Sequence, residues 1–222
     1  MTRSPAPHST TTAPTAAVRR RGRPRKEDSQ AQETRQQLLR AGLEMLTEKG
    51  YSAAGLDEIL RHAGVPKGSF YHYFSSKEAY GQALIDDYGH YFARKLDRWL
   101  LNAGREPLQR IADFIDDACH GMQRHEFRKG CLVGNLGQEI MALPESFRQQ
   151  LSDVFNDWQQ RLAACLKEAQ TQQQLASAVD CEQLAAFFWT GWEGAVLRAR
   201  LEKSNEPLRI FAAGFFQLIS RS

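Results

Sequence analysis

A chain of 222 residues, 42% hydrophobic and 25% charged, has ordinary globular composition and room for one small and one larger domain. Its formal charge of +3 is too small to name a partner. No apolar run approaches membrane-spanning length, so no membrane partner is expected. The N-terminus lacks a signal peptide's apolar core, so the chain is expected in the cytoplasm, with its four cysteines expected as thiols.

Residues 1–28 are rich in Pro, Ser, Thr, Ala and Arg and cannot bury enough surface to offset chain entropy, so they predict a disordered basic arm. Within it, Arg21-Gly22-Arg23-Pro24 is the core of an AT-hook. Arg21, Arg23 and Arg25 are expected to reach into a narrow A·T minor groove; the bland alternative is a solvated basic tail. Helix 1 is predicted from near Gln32, with Leu39, Leu43 and Leu46 as its stripe and Gly50 at its end.

The next stretch carries the most information. Leu56, Ile59, Leu60 and Ala63 recur at helical spacing and give a second helix one apolar face. Gly64 follows where a left-handed residue would close that helix, and Pro66 is expected to open a third at its first position. Helix 3 is very short. It offers Lys67, Ser69, Tyr71 and His72 over little more than one turn, while Phe70 and Phe74 anchor it. A helix so short and polar reads as a probe. Two helices joined by a glycine turn form a helix-turn-helix, whose second helix enters the major groove. Ser75 with Glu78 predicts a capping box that starts helix 4.

Helix 4 carries Leu84, Tyr88, Tyr91, Phe92, Leu96 and Trp99, and is long enough to run into the next domain. Five more helices are predicted: Leu108 to about Met122, Leu132 to Ala142 weakened by two glycines, a long one opened by Pro144, Asp180 to Glu202, and Pro207 to Ile219. No alternating strand pattern occurs. The expected fold is all-α with about nine helices: the arm, a three-helix head over residues 29–76, and a larger helical domain over 77–222.

The last two helices are apolar on more than one side, so each needs cover on more than one side. Phe188, Phe211 and Phe215 are therefore predicted in a homodimer interface; a monomer's core helices would show the same pattern.

The words Val-Pro-Lys-Gly-Ser-Phe-Tyr-His-Tyr-Phe at 65–74 and Ser-Lys-Glu at 76–78 resemble the TetR family of bacterial repressors. The resemblance implies a homodimer with an N-terminal DNA-binding domain and a C-terminal ligand-binding and dimerisation domain. It also assigns Lys67, Ser69, Tyr71, His72 and Lys77 to base and phosphate contacts. The family often has Thr or Ser where this chain has Ala54 and Gly55, so a hydroxyl cap before Leu56 is missing. Residues 130–139, Gly-Cys-Leu-Val-Gly-Asn-Leu-Gly-Gln-Glu, and 189–195, Trp-Thr-Gly-Trp-Glu-Gly-Ala, resemble the family's acrylate-utilisation branch. That resemblance implies acrylate or a related unsaturated acid or electrophile as effector.

Cys131 stands beside Arg128 and Lys129, cations that lower a thiol's pKa and favour reactive thiolate; the alternative is a small buried hydrophobe. Asn135, Gln138, Trp189, Trp192 and Glu193 are read as lining or bracing the same small-molecule cavity, although aromatics at helical spacing are more often core. An acidic effector needs a donor, for which Arg198, Arg110 and His120 are candidates. Cys119, His120, His125 and Cys131 contain no compact ligand pair, so no metal or cofactor is expected. With no nucleophile elbow, metal pair or phosphate-binding glycine loop, no enzyme is expected either. The reading is a repressor that binds a pseudo-palindromic double-stranded operator and is released by a small effector. The alternative is an architectural protein that holds A·T-rich DNA mainly through its arm.

Overall fold

The computed structural model describes Met1 and residues 26–220. Arg21, Arg23 and Arg25 lie outside the described residues, as does the expected arm from 2 to 25; residues 26–28, expected in the arm, belong to α1. Among these there are nine α-helices, one 3-10 turn and no strand. The helices are α1 (Lys26–Lys49), α2 (Leu56–Ala63), α3 (Lys67–Tyr73), α4 (Lys77–Leu100), α5 (Pro107–Arg124), α6 (Leu132–Gln138), α7 (Glu145–Thr171), α8 (Cys181–Glu202) and α9 (Glu206–Ser220). The 3-10 turn, Ile140–Ala142, follows α6. The all-α expectation is met.

The head forms as its apolar spacing requires. Gly64 closes α2 in the left-handed region (φ 66°), and its N–H and that of Val65 return to the last carbonyls of α2. Phe70 is fully buried against Phe74 and Tyr80, with ring centroids 5.5 and 5.3 Å away. The Tyr80 hydroxyl donates to the Leu38 carbonyl and ties α4 to α1.

The helix expected over Leu132 to Ala142 ends at Gln138, the 3-10 turn completing it, and Pro144 caps α7 from outside. Three boundaries in and beside the head also differ from expectation. Helix α1 starts at Lys26, about six residues before Gln32, because the polar run ahead of the leucine stripe contains no helix breaker. Pro66 is the N-cap of α3 rather than its first residue. The capping box of Ser75 and Glu78 is absent: Ser76 is the N-cap of α4, its Oγ accepting from the Ala79 N–H at 3.0 Å. Glu78 instead accepts from the Ser146 hydroxyl at 2.6 Å, so it joins α4 to α7.

The larger domain packs α7 against α4 and α8, and α8 against α9. Its centre is an aromatic slab. Trp158 lies 4.4 Å from Phe92 and 5.0 Å from Trp189, and Trp192 stacks on Phe188 at 5.6 Å. Aromatic contacts of this kind add to the area they bury. Arg110, 4% exposed, survives burial because Glu168 and the carbonyls of Leu100 and Arg105 take its N–H groups.

Phe188 and Phe215, expected in an interface between subunits, are 0% and 1% exposed within one chain. They pack on each other at 5.0 Å, so neither side chain reaches a partner directly. Phe211 is half-buried. The outward face of α8 and α9 carries Phe187, Thr190, Gly194, Ile210, Ala213 and Gly214 instead.

Candidate functional site

Two surfaces carry chemistry, one on the head and one where the head meets the body. On the head, Phe70 and Phe74 point inward, which leaves Tyr71 and His72 facing outward while Tyr73 packs at the edge of the core. Tyr71 is 55% exposed and His72 is exposed, while Ser69 is half-buried. Lys67 is exposed and pairs with Asp57 at 2.9 Å. Lys77 is turned toward the head: its ammonium donates to the Tyr51 carbonyl at 3.2 Å and lies 4.4 Å over the Tyr51 ring. It braces the α1–α2 turn.

The second surface is a cavity of about 470 Å³ with walls from both domains. Arg40, Leu43, Glu44 and Thr47 come from α1, in the head. Tyr88, Tyr91, Phe92 and Lys95 come from α4, and Met122 and Arg124 from α5. His125, Lys129, Gly130 and Cys131 line it from the segment before α6. Trp192, Glu193 and Val196 close it from α8. An apolar floor with several convergent cations is the composition of a site for a small anion. A larger, more open groove of about 830 Å³ on α4 and α5 is lined by Asp113, Asp116 and Asp117 together with Arg105, His120 and Arg124, and takes no wall from the head.

The cavity is wired to the head. Lys129 pairs with Glu44 at 2.9 Å, and Glu44 also meets His62 of α2 at 3.0 Å. The Lys129 hydrogen bond, with His62 after it, holds the Glu44 carboxyl below the usual carboxylate range. Asn135 donates to the Thr47 carbonyl at 3.0 Å and accepts from Arg200 at 2.8 Å. Arg200 also donates to the carbonyls of Glu48 and Arg128. Glu139, just after α6, accepts the backbone N–H groups of Tyr51 and Ser52 at 3.1 and 2.8 Å. Helix α6 thus holds the end of α1 and the turn after it.

The architecture of a helix-turn-helix head and a cavity-bearing helical body matches known proteins over both parts. Residues 38–80 match the bacterial regulatory proteins of the tetR family, and residues 107–215 match the tetracyclin repressor-like C-terminal domain. The transcriptional regulator AcuR of Cereibacter sphaeroides is 54% identical over 196 residues, covering 88% of this chain and 89% of that protein. The chain belongs to the TetR family. It is accordingly a DNA-binding helix-turn-helix transcriptional regulator with a ligand-binding C-terminal domain. A crystal structure of a TetR regulatory protein from Rhodobacter sphaeroides superposes with a TM-score of 0.80 at 54% identity, covering 82% of this chain and 96% of that one. The reduced form of Escherichia coli NemR gives a TM-score of 0.77 at 30% identity, covering 82% and 95%. No helix among the described residues is long and apolar enough to cross a membrane.

Family membership makes the cavity the place to weigh the predicted effector residues. Cys131, Trp192 and Glu193 line it; Asn135, Gln138 and Trp189 do not. Asn135 is committed to Thr47 and Arg200. Gln138 is exposed and donates to the Gly134 carbonyl one turn back on α6. Trp189 is 2% exposed within the aromatic slab, facing α7 rather than the cavity. The three expected anion donors are elsewhere too. Arg110 holds Glu168, Arg198 holds Glu202 on the surface, and the His120 ring bonds the Asp116 carbonyl. Lys129, Arg124, Lys95 and Arg40 stand in their place, and no local sequence signal marks the last two as partners of Cys131.

The thiol itself differs from expectation. Burial, and after it the Glu193 carboxylate, push Cys131 well above the usual thiol range, although the Gly134 N–H at 3.4 Å and the Tyr88 hydroxyl act the other way. Arg128, expected to help ionise it, points to solvent beside Glu126. Burial raises the Glu193 carboxyl to about 7, against the opposing Cys131 hydrogen bond. Its Oε1 is enclosed and has no hydrogen-bond partner.

Proposed function

We propose that the chain is a repressor that grips a pseudo-palindromic operator as a homodimer and releases it when a small unsaturated acid, of which acrylate is the simplest, enters the cavity. The observation that carries this reading is the cavity's position: α1 of the head forms one wall and Cys131 and Glu193 of the body form another. An anion drawn to Lys129 competes with Glu44 for the same ammonium, and Glu44 also holds His62 on α2. Effector charge is thereby felt in the helix-turn-helix. By linkage, an effector that weakens operator binding must itself be weakened by operator to the same degree. AcuR and NemR, both named as transcriptional regulators, support the class of function. The cytoplasm is the compartment this reading requires. The experiment is direct: titrate acrylate into the complex with DNA from the gene's own upstream region and measure release by fluorescence anisotropy.

The reading head is proposed to use Tyr71, His72, Ser69 and Lys67 on DNA, with Asp57 giving up Lys67 to a phosphate. Tyr71→Ala and His72→Ala remove exposed groups and are expected to leave the melting temperature unchanged. Each should weaken the cognate operator by about 1–3 kcal/mol and narrow the preference over unrelated DNA. Lys77→Ala would loosen the Tyr51 turn as well as remove a charge, so it is the poorer test. Unchanged operator affinity in both Tyr71→Ala and His72→Ala would take α3 out of the role.

Gly68 supplies a second check. A side chain there would meet nothing in the protein, so the fold does not require glycine. Close approach of DNA backbone would. Gly68→Ala is expected to stabilise the head by roughly 0.5–1 kcal/mol while lowering operator affinity. A variant that gains stability and keeps full affinity would place the DNA elsewhere.

The homodimer is proposed to form through the outward face of α8 and α9. Phe187 and Ile210, 51% and 61% exposed, are its anchors, and Thr190, Gly194, Ala213 and Gly214 let a partner's helices approach closely. Half-buried Phe211 lies under the edge of this face, 6.4 Å from Phe187.

A further inference from the structure

Three groups from three elements converge at the inner end of the cavity: Tyr88 of α4, Cys131 at the N-cap of α6, and Glu193 of α8. Cys131 Sγ accepts the Gly134 N–H at 3.4 Å, and the Glu193 carboxylate and the Tyr88 side chain line the cavity beside it. Gly134 makes the approach possible. A Cβ at that position would lie 2.0 Å from Glu193 Oε2 and 3.7 Å from Cys131 Cβ. Glu193 Oε1 is buried without a partner in the same enclosure.

A cation-activated thiolate does not fit these surroundings, because burial and a carboxylate both disfavour a second negative charge. A thiol that hands its proton away as it reacts does fit. We propose that Glu193 is the proton-transfer partner of Cys131, and that the pair forms a covalent capture site for α,β-unsaturated acids and carbonyls. This rests on reading the cavity as the effector site, and goes beyond it by assigning the chemistry.

The step balances. Cys131 Sγ attacks the β-carbon of the double bond while its proton passes to the Glu193 carboxylate. The π electrons move toward the α-carbon and its carbonyl or carboxyl group, and Glu193 returns the proton to the α-carbon. A thioether forms, the C=C bond becomes single, and Glu193 ends as it began. Tyr88 donates to the sulfur as negative charge passes through it. Lys129 and Arg124 offset charge on the acceptor's carboxylate. A base that titrates near the working pH suits this task, and Glu193 does so at about 7. Other charged or titratable groups around it are Arg40 and Glu44 on α1, Lys95 on α4 and His125 after α5.

The experiment follows acrylamide, an uncharged acceptor, adding to Cys131 of the full-length chain. Intact mass with peptide mapping separates this thiol from Cys119, Cys165 and Cys181, and rates are taken from about pH 5.5 to about pH 9. The parent rate is expected to rise through an inflection near 7 and then level. Glu193→Gln should lose the inflection and react at least ~100-fold more slowly at neutral pH. Gly134→Ala keeps the carboxylate but displaces it, and should lose the inflection as well. It adds a good helix former to α6, so it carries the test if Glu193→Gln folds poorly. Either variant retaining the parent's profile would overturn the proposal. So would a parent whose rate simply climbs toward the ordinary thiol range, or whose Cys131 does not react. Release of operator by acrylate, measured on the parent in parallel, scores the effector reading separately. If it persists while the pH profile fails, only the proton-transfer role is lost.

Discussion

Phe215→Glu is expected to leave no cooperatively folded protein, rather than a folded monomer. Phe215 is 1% exposed in a single chain and packs on Phe188, Phe216 and Phe211 with ring centroids 5.0, 5.7 and 6.3 Å away. Losing a buried phenylalanine costs about 3–5 kcal/mol, and an unpaired carboxylate in its place adds several more. That total matches the whole stability of a typical domain, roughly 5–15 kcal/mol. Thermal melting by circular dichroism should show no native transition. Phe187→Glu and Ile210→Glu contrast with it. Both residues are more than half exposed, so the charge stays hydrated in the monomer and is buried only on association. Both variants should melt near the parent yet sediment as monomers with poor operator binding. A Phe215→Glu protein that melts like the parent would contradict the packing of α8 on α9. Dimeric Phe187→Glu and Ile210→Glu with full DNA affinity would move the interface off this face.

That contrast shows what hydrophobic periodicity says and where it stops. The pattern on α8 states that the helix needs cover on several sides. It does not state whether the cover is α7, α9 or another subunit, so Phe188 and Phe215 were expected at an interface although both are buried within a single chain. The helix-turn-helix was legible because its determinants are local. Apolar spacing in α2, a left-handed Gly64, Pro66 and two phenylalanines one turn apart suffice within twenty residues. Cap positions slipped by one because Ser75 and Ser76 are chemically equivalent, and Ser146, 68 residues away in sequence from Glu78, decides what Glu78 does. The cavity was half legible. Cys131, Trp192 and Glu193 lie in short distinctive stretches. Arg40, Glu44 and Lys95 come from helices whose own patterns describe only their buried stripes. Asn135 carries the polarity of a ligand contact, yet it was placed in the cavity when its partners are the Thr47 carbonyl and Arg200. No local pattern reveals a bond across 88 residues.

Those cross-domain bonds define the other large expected effect. Arg200→Ala should uncouple effector from operator while leaving both sites intact. The guanidinium reaches three places at once: Asn135 on α6 at 2.8 Å, the Glu48 carbonyl at the end of α1 at 3.1 Å, and the Arg128 carbonyl at 3.3 Å. Arg200 does not line the cavity and lies far in sequence from the reading helix. Its removal disconnects α8, which carries Glu193, from the end of the head's first helix. An allosteric coupling of ordinary size changes affinity by about 5- to 150-fold. Acrylate affinity of the free protein should stay within about threefold of the parent, as expected for separated sites. The ratio of acrylate affinities without and with operator should fall below about fivefold. Linkage demands the same fall in the effect of acrylate on operator affinity, so two independent titrations must agree. The competing route is α4, which runs from Lys77 in the head to Leu100 in the body as one uninterrupted helix. It is untouched in Arg200→Ala. A variant that keeps the parent's coupling would assign the transmission to α4. A variant that loses it would show that α4 alone does not carry the signal, and that α6, held by Arg200 and in turn holding Tyr51 and Ser52 through Glu139, is the mobile part.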